Sequence, residues 1–188
     1  MKVVFVSNAC NPHQVPLAKA FLAYPDCDFA FLACDAPSKH RKDVGIGDDF
    51  NHLPFVSRYY EMSPEEKKSA EANLLDADVV LFGSGDPALR DAIKRAHKKI
   101  FYYMEHVSKT PKSKVASKLS LPVHFASLSR DGSYVLCASS YVKGELNKLG
   151  LFGGRCLYWG YFPEGSAGKE RSPYNDGTEA HPLRLLYA

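Results

Sequence analysis

Asp78-Val79-Val80-Leu81-Phe82-Gly83-Ser84-Gly85-Asp86-Pro87 reads as a strand, a glycine turn and the first turn of a helix. The apolar run after Asp78 has no polar alternation, as expected of a strand covered on both faces. Gly83 and Gly85 permit a tight turn. Asp86 is a residue type that caps helices, and Pro87 suits the first helical position, where its missing N–H has no partner to lose. Beyond it, Leu89, Ala92, Ile93 and Ala96 recur at i, i+3, i+4 and i+7, which predicts one apolar helix face.

The same unit repeats in both directions from this point. Residues 2–7 (KVVFVS) form a buried strand that stops at the polar loop 8–13, and Pro16 then opens a helix with Leu17, Ala18, Phe21 and Leu22 inward. Residues 28–34 (DFAFLAC) and 56–60 read as the second and third strands. Ser63-Pro64-Glu65-Glu66 is a capping box, in which Ser63 caps the helix and Glu66 bonds back to the cap amide; this helix runs to Asp76. Residues 99–104 (KIFYYM) make the next strand, followed by a basic loop, 105–120, with room for one short helix. Residues 134–138 (YVLCA) lead into a helix with Val142, Leu146 and Leu149 inward, which Gly150 ends, and 155–159 close the series. Strands alternating with helical patterns predict right-handed βαβ units. The fold class is therefore α/β, a Rossmann-like parallel sheet with helices on both faces, over residues 1–162.

Composition narrows the class further. A chain of 188 residues that is 45% hydrophobic carries a full core, which excludes disorder throughout. No apolar run approaches the ~20 residues needed to span a bilayer, and the N-terminus enters a strand pattern at once, so the expected location is cytoplasmic. The net charge of +3 is too small to argue for nucleic-acid binding. Lys98, Lys99, Lys109, Lys112, Lys114 and Lys118 crowd one region, either as a solvated face or as a contact for an anionic membrane surface, peripheral at its inner face, or a phosphate-bearing acceptor. Five cysteines, odd in number and widely spaced, suit buried reduced thiols. Residues 163–182, rich in Gly, Pro, Ser and charge, read as a linker. Residues 183–188 (LRLLYA) look like the opening strand of a second, truncated domain, the alternative being an edge strand of the same sheet.

Three segments carry a resemblance: Asn8-Ala9-Cys10-Asn11-Pro12-His13-Gln14, then 134–141 (YVLCASSY), then 158–164 (YWGYFPE). Together they resemble the N-terminal domains of bacterial GT-B glycosyltransferases of the family 4 kind, over essentially the whole chain. The resemblance implies transfer of a sugar from a nucleotide-sugar donor to a saccharide or lipid-linked acceptor, usually with retention and without a tightly bound metal or cofactor. It also implies that the donor is held mainly by a C-terminal domain, without which this half is inactive, and that polysaccharide assembly is the setting.

Open α/β sheets bind ligands beyond the carboxyl ends of their strands, so the loops after Ser7, Phe82, Met104 and Ala138 hold the candidate site. Asn8, Asn11, His13 and Gln14 precede a helix start that favours an anion such as a donor diphosphate; equally, Asn and Gln in such loops serve as local caps. Glu105 and His106, a polar pair directly at a strand end, are the catalytic candidates, His106 for receiving a proton from an acceptor hydroxyl or stabilising departing charge. Ser84, Gly85, Asp86, Ser140 and Tyr141 are the acceptor-facing candidates. Related domains often carry a histidine in the loop after the strand that ends at Phe82; here that loop is Gly83-Ser84-Gly85-Asp86. Tyr141, Trp159, Tyr161 and Phe162 either line an acceptor site or pack beneath the linker. Cys10 and His13 have metal-like spacing without further ligands nearby, so no metal is expected.

Two other readings stand beside the resemblance. Gly83-Ser84-Gly85-Asp86-Pro87-Ala88 fits G-x-G-x-x-A, with Glu105 about 20 residues on, as in an NAD(P)-dependent oxidoreductase. A stand-alone sugar- or nucleotide-binding module of flavodoxin-like design is the third.

Overall fold

The computed structural model describes residues 1–36, 49–107, 123 and 125–162. Among them seven strands form one sheet: β1 Lys2–Ser7, β2 Asp28–Ala33, β3 Val56–Arg58, β4 Val79–Phe82, β5 Phe101–Met104, β6 Tyr134–Cys137 and β7 Cys156–Tyr158. Their order is β3-β2-β1-β4-β5-β6-β7, and every pairing is parallel. The helices are α1 Val15–Ala23, α2 Pro64–Asp76, α3 Pro87–Arg95, α4 with a described part at 125–130, and α5 Ser140–Lys148. The α/β, Rossmann-like reading is what the chain adopts. The linker at 163–182, the strand at 183–188 and Lys109, Lys112, Lys114 and Lys118 lie outside the described residues.

Alternation along β1 divides the core. Val4 and Val6 point to the face held by Leu74, Leu89, Ile93, Leu128, Val142 and Leu146 from α2 to α5. Val3 and Phe5 point to the other face, with Val15 and Ala18 of α1 and the rings of Phe29 and Phe31. Right-handed crossovers account for this split: the chain adds strands in one direction from β1 to β3, then in the opposite direction from β4 to β7, and the connecting helices change face accordingly. β1 and β4, adjacent in the sheet, are where the direction reverses.

Local signals govern the helix starts. The α2 capping box forms in full, Ser63 Oγ accepting the Glu66 N–H at 3.2 Å while Glu66 Oε2 accepts the Ser63 N–H at 2.7 Å. Asp86 caps α3 by accepting the Ala88 N–H at 2.8 Å. Element ends depart from the periodic pattern. Leu22 is 47% exposed, not inward, because in the last turn of α1 it is Phe21 that faces the sheet, stacked on Phe29 with centroids 5.3 Å apart. Ala96 is also exposed, because it is the C-cap of α3 and His97 turns the chain away at φ +50°. β3 stops at Arg58, where residues 59–61 wind into a 3-10 turn that buries Tyr59.

Candidate functional site

The reversal between β1 and β4 leaves a crevice beyond their carboxyl ends, the place where open α/β sheets take ligands. Two turns flank it, 8–14 after β1 and 83–86 after β4. Backbone bonds set their heights: Gly83 N–H donates to Val6 O at 2.9 Å, Cys34 N–H to Ser7 O at 2.9 Å and Asp35 N–H to Asn8 O at 2.7 Å.

The first turn is knitted together by its own amides. Gln14, 4% exposed, accepts the Asn11 N–H at 2.9 Å and the Asn11 side-chain amide at 3.3 Å through Oε1, and Nε2 donates to Ser7 Oγ at 3.4 Å. Asn8 Oδ1 accepts the Ala9 N–H at 2.9 Å and the Ser7 hydroxyl at 3.3 Å. Asn51, 2% exposed, reaches in from the segment before β3 and accepts the Cys10 N–H at 2.9 Å. These contacts are the local bonding expected of Asn and Gln in turns. They also leave the start of α1 with no side-chain cap and no acidic residue in its first turn, so its positive dipole end is not offset locally.

The second turn is shaped by missing side chains. A Cβ on Gly85 would lie 2.8 Å from Val6 Cγ1, 3.2 Å from Phe82 Cζ and 3.3 Å from Cys34 Sγ, and one on Gly83 would lie 3.1 Å from Tyr103 Cδ1. Both glycines therefore admit neighbouring core atoms. Asp86 spends one carboxylate oxygen on the α3 cap, while Ser84 faces solvent. Burial pushes the Cys34 thiol up to about 11 and the Cys10 thiol up to about 12. Both thiols are therefore protonated at neutral pH.

Glu105 and His106 follow β5. His106 is exposed. Glu105 is half-buried and accepts the Tyr103 hydroxyl at 3.3 Å. Tyr161 stands beside this pair and shifts with it, and its ring meets His13 edge-on with centroids 4.6 Å apart. Burial, then the neighbouring Tyr161 phenol, raises the Tyr103 phenol. Burial, then the neighbouring Glu105 carboxylate, raises that of Tyr161. Both phenols accordingly remain protonated donors at neutral pH. The fold thus gathers His13, from the first turn, with Glu105, some ninety positions later in the chain. It leaves Ser140 and Tyr141 exposed at the start of α5, where Ser139 Oγ caps by accepting the Tyr141 N–H at 3.2 Å.

Asn51 and Tyr103 are the site residues that sequence reasoning misses. Asn51 sits in a connection without periodicity, and Tyr103 reads as an ordinary strand aromatic. A larger groove of about 410 Å³ lies elsewhere, between α2 and the sheet, lined by Lys2, Asp28 and Asn73 near the amino ends of the strands. No protein-family model matches the chain, and no curated protein shows significant similarity to it. No helix among the described residues is long and apolar enough to cross a membrane.

Proposed function

We propose that this chain is the acceptor-side domain of a two-domain glycosyltransferase of the family 4 kind, moving a sugar from a nucleotide-sugar donor to a saccharide or lipid-linked acceptor. One observation carries the reading. At the strand-order reversal an uncapped helix start and a carboxylate, Glu105, are linked through His13 and Tyr161 along a single edge. In this reading the α1 start, among Asn8, Asn11, His13 and Gln14, offsets the charge of the departing donor diphosphate. Glu105 receives the proton of the acceptor hydroxyl, with His106 as the second proton acceptor beside it. Ser84, Gly85, Asp86, Ser140 and Tyr141 border the acceptor. The donor is brought by a second domain, and closure across the crevice completes the site. The setting is the cytoplasm, with peripheral contact at the inner membrane face when the acceptor is lipid-linked.

The dinucleotide reading is weaker on geometry. Its glycine turn follows β4 and not β1, Asp86 already occupies the helix start where pyrophosphate would sit, and the glycine spaces are filled by Val6 and Tyr103. A titration separates the two. With unlabelled saccharides, amide resonances at 8–14, 83–86 and 105–106 are expected to shift, while NAD(H) and NADP(H) leave the melting temperature unchanged and the chain alone transfers no sugar from any nucleotide sugar. Stabilisation by a dinucleotide without a saccharide response, or sugar transfer by the isolated chain, defeats the proposal.

A further inference from the structure

Two exposed aromatic rings stand side by side in sequence at the carboxyl edge, just past β7. Tyr161 is 48% and Phe162 37% exposed, yet neither hangs free. The Tyr161 ring meets His13 edge-on with centroids 4.6 Å apart, and the Phe162 ring meets Trp159 in the same way at 5.2 Å. An edge-to-face contact uses the edge of one ring and a single face of the other, so each exposed ring keeps at least one face for a further partner. Beneath them His13, Gln14, Tyr103, Trp159 and Phe162 close the space against the sheet to a hollow of about 10 Å³, room for about one water and for no alkyl chain. Beside them the surface is open: no atom lies within 4 Å of the position a Cβ on Gly160 would take. The result is a shelf with a closed floor and a polar end, where Tyr103, in the wall of the hollow, donates its hydroxyl to Glu105 Oε1 at 3.3 Å.

We propose that Tyr161 and Phe162 form a stacking subsite for an uncharged pyranose ring of the acceptor, the ring next to the one whose hydroxyl reacts. The proposal rests on the acceptor-domain reading and names the part of the acceptor that this edge takes. Three features select a neutral sugar ring. The closed floor admits a flat body lying on the rings, not a chain that must sink between them. Aromatic faces carry the negative side of the ring quadrupole and attract the C–H groups that a pyranose presents on its own faces. The hydroxyls around the pyranose rim need polar partners, and Glu105 supplies one at the end of the shelf, whereas an acyl chain laid there would bury a carboxylate against apolar surface. Residues 156–162 contain no Lys or Arg, and Glu105 repels a uronate, so the stacked ring carries no negative charge.

The test begins with the unsubstituted chain. Cellobiose and maltose at millimolar concentration are expected to move the ring-proton resonances of Tyr161 and Phe162 together with the amides at 105–106, while 1-hexanol leaves both rings unmoved. Tyr161→Ala is expected to weaken disaccharide binding about five-fold, within the range that one aromatic contact contributes. Tyr24→Ala, which removes a 64% exposed ring at the far end of α1, leaves it unchanged. Where Tyr161→Ala does not fold, the ring resonances of the unsubstituted chain decide alone. Three results overturn the shelf and leave the glycosyltransferase reading standing: disaccharide shifts at 83–86 and 105–106 without movement of either ring, a Tyr161→Ala chain that binds as the parent does, or a stronger ring response to 1-hexanol than to the disaccharides. No response to either disaccharide at any of these positions removes the shelf and counts against the reading beneath it as well.

Discussion

The two turns flanking the crevice solve the same problem in opposite ways. Each follows a strand buried on both faces and leads into a nine-residue helix with proline in its first turn. The 8–14 turn fills its interior with amide side chains that bond one another. The 83–86 turn empties its interior so that Val6, Phe82, Cys34 and Tyr103 can enter. The difference teaches where an anion would go. α3 starts on a carboxylate, whereas α1 starts on Gln14, whose side chain is turned inward to Asn11 and Ser7, so only the first helix presents an uncompensated positive end.

The sharpest way to break this contrast is Gly85→Ala. The new methyl meets Val6, which is fully buried, and Phe82, 2% exposed, so neither neighbour yields easily. Overpacking of this kind is expected to cost about 2–3 kcal/mol, read by denaturant unfolding. A variant as stable as the parent would mean that packing does not demand the glycine, and the close approach of a ligand would again explain it. Gln14→Ala tests the other turn. It strands the Asn11 N–H and leaves a polar pocket, an expected loss of about 1–2 kcal/mol, with faster amide exchange confined to 8–14. An unchanged exchange pattern would show that the turn is held by its backbone alone.

The smallest effect concerns α2, whose capping box lies away from the crevice and gives a baseline for an ordinary helix start. The hydrogen bonds from the Ser63 backbone N–H and then the Ser63 side chain hold the Glu66 carboxyl below its usual range. A carboxyl depressed on folding contributes stability above its unfolded pKa of ~4.3 and loses it as pH falls through the lower folded value. Wild type should therefore melt above Glu66→Gln at neutral pH, with the gap closing in the acid range. A gap that persists or widens in acid would assign the effect to something other than the ionised carboxylate.

Much of the framework is legible in the linear chain because its causes are local. The runs at 2–7, 78–82 and 134–138 are apolar enough to be strands in any register, and Ser63, Asp86 and the prolines act within one turn of the helices they start. Periodicity loses its force at element ends, where Leu22 and Ala96 keep the right spacing but are left exposed. The candidate site shares the same division. Glu105 is readable as a polar residue at a strand end, yet nothing near it in sequence says that it accepts a hydroxyl from Tyr103 or that Tyr161 lies against it.

From composition and pattern alone come the α/β class, the strands, the helix caps and the rule that ligands belong at the carboxyl edge. The meeting of His13, Tyr103, Glu105 and Tyr161, the burial of Asn51 beneath Cys10, and the crowding that makes Gly85 necessary depend on strand order. That order brings residues tens of positions apart to within a few ångströms, and sequence spacing carries no trace of such distances because the interactions responsible are non-local.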